Sequence, residues 1–276
     1  MKRRTHVGVT TNREMTASGF NKAGNDSATS GKSDDTRLAR PFRFRQFAVA
    51  QDRCAMKVGT DGVLLGAWAS TGTAEPDSCR RILDIGTGTG LIALMMAQRC
   101  AGACVVGIDI VAEACEQACE NVAASPFSNR VEIVNTSLQH YDAEPRSFDA
   151  IVSNPPFFEN SLKNPNRERS VARHTDTLSC TDLFRSVDRL LADNGVFCVI
   201  IPTENLNAFR SEAAIFGFYV NEEIKIQTTP AKQPKRCLLS FLRYRPACPV
   251  QQTVALTNAD GSRSEWYQHL TQDFYL

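Results

Sequence analysis

Short apolar runs alternate with longer amphipathic segments through the middle of the chain. Runs of four to eight apolar residues between turn signals are typical of buried strands, and apolar positions repeating every three to four residues are typical of helices. The strands predicted in this way are residues 81–85, 103–110, 131–134, 148–152 and 196–201. The helices predicted between and after them are residues 91–99, 111–123, 180–192 and 205–216. This alternation predicts an α/β fold around a mostly parallel sheet.

Further elements are predicted at both ends of this alternation. After it, residues 218–227 and 236–244 predict a closing pair of strands, so we expect an antiparallel strand at the C-terminal end of the sheet. Before it, residues 41–47 alternate like a strand, and residues 61–69 predict a short helix with Thr60 as its N-cap. Together these elements predict one doubly wound, Rossmann-like domain.

Composition separates the N-terminal region from the rest of the chain. Of the 276 residues, 42% are apolar, which is enough for a sizeable core, and the formal net charge is only +1. Residues 1–40 are rich in small polar residues and lysine, and predict a disordered arm before a domain over residues 41–276. Residues 1–45 carry ten lysines and arginines against four acids, which suits either a polyanionic partner or a solvated tail.

The ten cysteines show no metal-binding pattern. No CxxC pair and no zinc-like spacing of cysteine and histidine occurs, so we expect no metal. The first residues are not followed by the apolar stretch of a secretory signal, and no run of about 18 apolar residues predicts a membrane span. We therefore expect a cytoplasmic protein with reduced thiols, and we expect it to be a monomer.

A glycine-rich turn follows the first strand of the alternation. Asp84 precedes Gly86, Gly88 and Gly90, a spacing of acid-x-G-x-G-x-G. Glycine permits positive φ and close approach of a ligand to the backbone, and the helix that follows presents unpaired N–H groups. The dinucleotide fingerprint requires G-x-G-x-x-G, and Leu91 stands where its third glycine would be. The acid favours a ligand with an ammonium group, because a carboxylate would repel a pyrophosphate.

A second acid stands at the end of the second strand of the alternation. Asp109 can accept hydrogen bonds from both hydroxyls of a ribose, whichever cofactor carries that ribose. Two acids and three glycines in register with the strands favour a cofactor site over a tight turn without a ligand. Asp84 and the glycine spacing favour S-adenosyl-L-methionine over a nicotinamide dinucleotide.

The fourth strand of the alternation runs into the sequence Asn154-Pro155-Pro156-Phe157. In a doubly wound sheet the strand order reverses between the first and fourth of these strands, and ligands bind beyond their carboxyl ends. This loop is therefore expected beside the glycine turn, far from it in the sequence. The alternative is a proline-rich turn that only leaves a strand.

The four residues of this loop suit the methylation of an exocyclic amine. Such an amine has a delocalised lone pair, and two acceptors that take both of its hydrogens hold the nitrogen towards tetrahedral geometry. The side-chain carbonyl of Asn154 and the backbone carbonyl of Pro155 form such a pair, in a loop that proline keeps rigid. The ring of Phe157 offers a face on which a base can stack. Catalysis would rest on positioning and aimed dipoles, without a strong base.

These motifs resemble those of known methyltransferases. The glycine turn with Asp109 resembles the cofactor motifs of class I methyltransferases, and Asn154–Phe157 resembles the N/D/S-P-P-Y/F signature of amino-methyltransferases. A closer similarity, to the bacterial tRNA(Val) adenine-N(6)-methyltransferase family, rests on residues 42–68, 154–158, 172–174, 178 and 270–276. That resemblance covers about residues 42–276 and leaves out the arm. It implies a class I fold, S-adenosyl-L-methionine as cofactor and adenine 37 of tRNA(Val) as the target.

The resemblance also implies roles for the matching positions. The residues that would cap the cofactor pocket are Lys57, Gly59, Thr60 and Asp61. Those that would line the methionine part are Asp84, Gly86, Thr87, Gly88 and Gly90. Asp109 with Ile110 would hold the ribose, and Asn154–Phe157 the target amine. Ser137 stands where such enzymes usually carry an acid near the cofactor adenine, so we expect its oxygen to bind the adenine amine instead.

Basic residues cluster in two parts of the chain. Residues 225–245 contain six lysines and arginines and no acid, and a second group follows the Asn-Pro-Pro-Phe loop. A basic rim around a stacking pocket suits the splayed bases of the tRNA anticodon loop, although any one of these residues can equally be ordinary surface charge. His174 is expected to contact phosphate or backbone and not to act as a base. The candidate RNA-binding residues are Arg167, Arg169, Arg173, His174, Lys232, Lys235 and Arg236.

Other functions fit parts of the pattern. The same amine chemistry would serve a protein glutamine or a guanine amine, although glutamine enzymes commonly have tyrosine where Phe157 stands. An RNA-binding module with a residual cofactor pocket belongs to a different class, and the intact Asn154–Phe157 loop argues against it. A nicotinamide-dependent oxidoreductase is disfavoured by Leu91 and Asp84.

Overall fold

A large sheet and a small hairpin organise the chain. The computed structural model describes residues 40–54, 57–71, 79–155 and 178–275. The hairpin pairs β1 (Phe42–Arg43) with β2 (Ala48–Val49). The sheet contains β3 (Arg81–Ile85), β4 (Cys104–Asp109), β5 (Val131–Asn135), β6 (Phe148–Ser153), β7 (Leu191–Pro202), β8 (Tyr219–Gln227), β9 (Arg236–Leu242) and β10 (Val250–Ala255). The α-helices are α1 (Thr60–Trp68), α2 (Leu91–Arg99), α3 (Ala112–Ala123), α4 (Cys180–Leu190), α5 (Leu206–Ile215) and α6 (Glu265–Thr271).

The eight strands of the sheet follow the order β10-β8-β9-β7-β6-β3-β4-β5. β9 runs antiparallel to its neighbours β7 and β8, and every other neighbouring pair is parallel. The predicted doubly wound sheet with an antiparallel C-terminal strand is therefore confirmed. β3 lies between β4 and β6, so the strand order reverses here and the carboxyl ends of these three strands lie together. Ligands of doubly wound folds bind at such a reversal.

Burial on both faces of the sheet explains why its strands are continuously apolar. Ile82 and Leu83 are consecutive and fully buried, yet they belong to two different core clusters. Ile82 packs in the cluster that contains residues of α1 and α2, and Leu83 in the cluster that contains residues of α4 and α5. Successive side chains of a strand point to opposite faces, so a sheet covered on both sides needs apolar residues at both positions.

The predictions before β3 are only partly correct. Gly59, with extended backbone, is the N-cap of α1, and Thr60 is the first helical residue. No side chain caps this helix, so the prediction of Thr60 as N-cap is wrong. The strand expected over residues 41–47 is also shorter, because the chain turns after Arg43 so that β1 can pair with β2.

The boundary between α4 and β7 lies earlier than predicted. α4 ends at Leu190 and β7 begins at Leu191, which pairs with Phe148 at the start of β6. Regular pairing resumes only at Val196, which faces Ala150. The irregular stretch between the two contains Asn194 and Gly195, which belong to β7. Pairing of Leu191 with β6 therefore ends the helix two residues before its predicted end at residue 192.

Two elements near the C-terminus were not predicted. β10 lies at the edge of the sheet beside β8, and its first four residues are exposed. An edge strand of this kind buries too little surface to leave an apolar pattern. α6 begins at a Ser264 cap, whose hydroxyl accepts from the backbone N–H of Tyr267 at 3.2 Å. No helix in the ranges described above is long and apolar enough to cross a bilayer.

Candidate functional site

A cavity of about 500 Å³ lies at the carboxyl ends of β3, β4 and β6. Its wall is formed by the loops that follow these strands and by the segment before α1. The candidate residues that line it are Lys57, Gly59, Gly86, Thr87, Gly88, Asp109, Ile110, Asn154 and Pro155. The described candidate cofactor residues that do not line it are Thr60, Asp61, Asp84, Gly90 and Ser137. The candidates outside the described residues are Pro156, Phe157, Arg167, Arg169, Arg173 and His174.

The glycine turn is held in a left-handed conformation against the end of β4. Gly86, Gly88 and Gly90 have φ angles of 72°, 55° and 79°, which favour glycine. The backbone N–H groups of Gly86 and Thr87 donate to the carbonyl of Ile108 at 2.9 and 3.0 Å. A Cβ at Gly86 or Gly88 would meet no atom within 4 Å, so these residues border open space. Their backbone is therefore available to a ligand in the cavity.

Gly90 has a structural role behind this turn. It is the N-cap of α2 and its N–H donates to the carbonyl of Thr87 at 2.9 Å. A Cβ there would approach the Cβ of Ala118, on α3, to 3.3 Å. Gly90 does not line the cavity, and the nearness of Ala118 gives it a role in the close packing of α2 against α3.

Asp84 lies beneath the glycine turn and not in the cavity wall. Its Oδ2 atom accepts from the Thr87 hydroxyl at 2.7 Å and from the backbone N–H of Ala93 at 3.1 Å. Its Oδ1 atom is buried and has no hydrogen-bond partner among the described residues. Burial is the main cause that raises the pKa of Asp84 to about 7. Asp84 thus fixes the turn from beneath, with no basic side chain bonded to it among the described residues, and it does not line the cavity as expected.

Asp109 ends β4 and faces the cavity with a fixed orientation. Its Oδ2 atom accepts from the backbone N–H of Gly88 at 2.9 Å, and its Oδ1 atom from that of Val111 at 3.0 Å. The carboxylate therefore links the glycine turn to the loop before α3. Next to it, Ile110 and Val111 line the cavity although they are 51% and 48% exposed. A carboxylate beside aliphatic surface suits a ribose joined to a flat base.

The loop after β5 differs from the prediction. Ser137 does not line the cavity, because its hydroxyl pairs with Nδ1 of His140 at 2.8 Å. Thr136 and Gln139 do line it, and neither was predicted. The Gln139 amide can both donate and accept, as the edge of an adenine requires. The signal available in the sequence was the position of these polar residues directly after a strand, but it does not say which of them faces inward.

The segment before α1 closes another side of the cavity. Lys57 and Gly59 line it, and the Lys57 ammonium donates to the backbone carbonyl of Gln51. The side-chain oxygen of Gln51 accepts from the backbone N–H of Val58 at 2.6 Å. Gln51 therefore holds this segment in place, a role that the sequence did not indicate. The side chain of Asp61, in the first turn of α1, pairs with the Arg236 guanidinium and does not line the cavity.

The Asn-Pro loop and the glycine turn meet in this cavity. Ile85 and Ser153 are direct partners in the pairing of β3 with β6, and the Ser153 hydroxyl donates to the Ile85 carbonyl at 2.9 Å. Asn154 and Pro155, which follow Ser153, line the same cavity as Gly86. The two loops would lie apart if the predicted strand order were wrong. Their common cavity is the arrangement that the amine-methylation hypothesis requires.

The basic residues between β8 and β9 lie at the same end of the strands as the cavity. Lys232 and Lys235 are exposed in the connection from the end of β8 to the start of β9. This connection is tied down by backbone bonds from Lys235 to Ile226 and from Thr203 to Lys235, at 3.0 and 3.1 Å. Arg236 is only partly exposed and forms an ion pair with Asp61. The two lysines are therefore the free cations of this connection that can meet a polyanion.

Comparisons with known proteins agree with this geometry. The model of a methyltransferase domain matches residues 82–195. The tRNA1(Val) (adenine(37)-N6)-methyltransferase of Phocaeicola vulgatus is 49% identical over 236 residues, which cover 85% of this chain and 97% of that protein. The enzyme of the same name from Bacteroides fragilis is 45% identical over 87% of this chain and 99% of its own length.

A solved structure shows the same fold at low identity. It is described as a predicted O-methyltransferase from Agrobacterium tumefaciens and matches with a TM-score of 0.58 and 17% identity, over 78% of this chain and 96% of its own. An identity of 17% supports the class I methyltransferase fold and nothing more specific. The two tRNA-modifying relatives are far more similar and are matched over almost their whole length, and this chain belongs to the tRNA1(Val) (adenine(37)-N6)-methyltransferase family.

Proposed function

We propose that the protein transfers the methyl group of S-adenosyl-L-methionine to the exocyclic N6 amine of adenine 37 in tRNA1(Val). The observation that carries this proposal is the common cavity of the glycine turn and the Asn154–Pro155 loop. Membership of the family supports the nucleotide and the tRNA, because the relatives bear those names. An RNA-binding module with only a residual cofactor pocket would not need the Asn154–Pro155 loop in that pocket.

The cavity fits S-adenosyl-L-methionine in size and in chemistry. Its volume of about 500 Å³ is in the range of sites that enclose a cofactor. Asp109 would hold the ribose, with Ile110 and Val111 against the adenine and Gln139 at its edge. The open backbone of Gly86 and Gly88 would take the methionine part. When bound, the cofactor supplies an electrophilic methyl group on a positively charged sulfur.

The buried Asp84 carboxyl supports a cationic ligand above the glycine turn. It has one oxygen without a partner among the described residues and no basic side chain bonded to it. A negative charge in such a place is costly unless a positive charge lies near. We infer that Asp84 acts through the turn, since Thr87 and Ala93 hold it below the cavity, and that it stabilises the cationic methionine part from there.

The target amine would be held by Asn154 and Pro155. The Asn154 side-chain oxygen and the Pro155 carbonyl would each accept one amine hydrogen, with the nitrogen lone pair aimed at the methyl group. Methyl transfer to the amine nitrogen would leave the former S–C bonding pair with the cofactor. The two oxygens would stabilise the positive charge that develops on the nitrogen, and the amine would then lose a proton to water. Positioning and aimed dipoles supply the rate acceleration.

Two exposed lysines at the same end of the strands as the cavity support an anticodon loop as the RNA element. Lys232 and Lys235 are exposed at the same edge of the sheet as the cavity and can contact phosphates. Phe157 would stack on the adenine, and Arg167, Arg169, Arg173 and His174 would add further RNA contacts; these five residues stay predictions. A monomeric state, the absence of a metal and a cytoplasmic location likewise stay predictions.

The proposal is tested with the full chain, labelled S-adenosyl-L-methionine and tRNA1(Val) transcripts. Methyl transfer to the wild-type transcript, with N6-methyladenosine found by nucleoside mass spectrometry, is the expected result. A transcript with guanine in place of adenine 37 serves as the matched control and should accept no label. Label in the guanine transcript, or transfer to a release factor instead of tRNA, would contradict the proposed substrate.

A further inference from the structure

An ion pair joins the first turn of α1, beside the cavity, to the first residue of β9. Asp61 Oδ2 accepts from Nε of Arg236 at 2.7 Å, and the two side chains are 26% and 32% exposed. The two residues are 175 positions apart in the sequence. The sequence suggested a cofactor role for Asp61 and an RNA role for Arg236, and the structure pairs the two side chains with each other.

The Asp61 end of this pair is close to the cofactor cavity. Asp61 is in the first turn of α1, between Gly59 and Gly62, which both line the cavity. α1 is packed into the core through Val63 and Leu64, which are 1% exposed. Asp61 therefore lies between two residues that border the cavity, on a helix whose body is fixed in the core.

The Arg236 end is close to the exposed lysines. Arg236 is the first residue of β9, opposite Pro202 on β7 and Ile226 on β8. Its Nη1 donates to the backbone carbonyl of Lys235 at 3.2 Å. We call residues 228–235, the connection between β8 and β9, the basic turn. The guanidinium thus contacts both the basic turn and the first turn of α1.

We propose that the Asp61–Arg236 pair is a positioning link through which an occupied cofactor cavity strengthens RNA binding at the basic turn. By thermodynamic linkage, bound RNA strengthens cofactor binding by the same factor. The inference rests on the proposed function, because it takes the cavity as the cofactor site and the basic turn as an RNA contact. Neither residue touches the reacting atoms, so both act through the elements that they hold.

The small contribution of such a pair to folding stability favours a role in coupling. A partly exposed ion pair adds little to folding stability, because water and salt screen it. It fixes the relative position of two segments only while both partners stay charged and in contact. Loss of the pair should therefore leave the fold intact and release the start of α1 from the basic turn.

The test measures how S-adenosylhomocysteine changes the affinity of the full chain for fluorescent tRNA1(Val) transcript. In the wild type the dissociation constant should fall by about fivefold or more when S-adenosylhomocysteine is saturating, which is the low end of common coupling. The ratio of interest is the tRNA dissociation constant without S-adenosylhomocysteine divided by the constant with it. Asp61→Asn and Arg236→Gln should each bring this ratio close to one, with an unchanged melting temperature. Arg236→Lys, which keeps the charge, should recover part of the ratio.

Two variants serve as controls for this measurement. Lys232→Gln should weaken tRNA binding with and without S-adenosylhomocysteine but keep a ratio above that of Asp61→Asn, because the ion pair and the second exposed lysine of the basic turn, Lys235, are intact. Asp193→Asn removes the ion pair with Arg146 near the start of β6 and β7, at the end of the strands opposite the cavity. It should change neither the tRNA affinity nor the ratio.

Two results would overturn the link while the proposed function stands. One is a wild type that methylates tRNA but whose tRNA affinity does not respond to S-adenosylhomocysteine. The other is a ratio that survives in both Asp61→Asn and Arg236→Gln. A wild type that neither binds nor methylates tRNA overturns the proposed function itself, and the link with it.

Discussion

At the scale of single residues, the site combines one amide that faces the cavity with one carboxyl that is hidden beneath it. Asn154 lines the cavity beside Gly86, and Asp84 lies fully buried under the same turn. The first is placed to act on a substrate and the second to act on the charge of a ligand. Substitutions at the two positions should therefore affect different steps.

Asn154→Ala should lower the rate of methyl transfer by about a hundredfold or more, because one of two acceptors aimed at the amine is lost. Affinity for S-adenosylhomocysteine, measured by calorimetry, should stay within about twofold of the wild type. Asn258→Ala, in an exposed turn where Asn258 bonds Ser262, is the control and should change neither value. An Asn154→Ala protein with wild-type turnover would exclude the proposed amine clamp.

Asp84 should make the stability of the ligand-free protein depend on pH. Its pKa is raised from 3.8 to about 7, chiefly by burial, so the folded state holds this proton more tightly than the unfolded chain. The contribution of Asp84 to stability is therefore complete below about pH 4 and is lost as the pH rises towards 7. Asp84→Asn, which has no such proton, should melt progressively higher relative to the wild type as the pH is raised from 5 to 8.

The readout is the difference in melting temperature between the two proteins at a series of pH values. A difference that does not change with pH would show that Asp84 does not titrate in this range. At pH 8, Asp84→Asn should also bind S-adenosyl-L-methionine more weakly, because the charge beneath the turn is absent.

At the scale of elements, the glycine turn places its backbone by a conformation that other residues rarely adopt. Gly88 has a φ angle of 55° and its N–H donates to Asp109, so its conformation links β3 to β4 at the cavity. Gly217, after α5, has a similar φ angle of 75°. A Cβ added at Gly217 or at Gly88 would meet no atom within 4 Å. An alanine would be strained at either position, and the two positions differ in their place in the fold.

Gly88→Ala should therefore cost stability and also weaken S-adenosyl-L-methionine binding by about tenfold or more, since about 1–2 kcal/mol of left-handed strain favours a shifted turn. Gly217→Ala should cost similar stability and leave cofactor binding unchanged. Melting temperatures and cofactor dissociation constants of both variants, measured side by side, separate local strain from a role in the site. Equal cofactor affinities in the two variants would contradict the role given to Gly88.

At the scale of the whole molecule, charge is unevenly distributed along the chain. Residues 1–45 have ten basic residues against four acids, and the net charge of all 276 residues is only +1. The body that carries the site is therefore slightly acidic, and most of the long-range attraction to RNA would come from the N-terminal region.

Removal of residues 1–40 should weaken tRNA binding at low salt and leave the rate of methyl transfer at saturating tRNA unchanged. Affinity should also become less sensitive to salt, because fewer phosphates are neutralised. The measurement is the tRNA dissociation constant of full-length and truncated protein over a series of salt concentrations. Equal affinities at the lowest salt would exclude an RNA-binding role for the arm and favour a solvated tail.

The sequence by itself determined the alternation of strands and helices along the chain from β3 to β9, the glycine turn and the loop that faces it. These features depend on local chemistry: apolar runs mark buried strands, glycines mark positive φ, and parallel strands bring their carboxyl ends together. It was also sufficient to place Asp109 and Asn154 at the ends of β4 and β6. The edge strand β10 left no such pattern, because most of it is exposed.

Only the tertiary structure decided what individual polar side chains contact. Asp84 turns towards Ala93 in α2 and not into the cavity, Ser137 pairs with His140, and Asp61 pairs with Arg236. A polar residue near the end of a strand can point to either face, and its partner is set by packing of segments that are distant in sequence. The motif therefore reveals which chemistry is present, whereas the fold selects which atoms carry it.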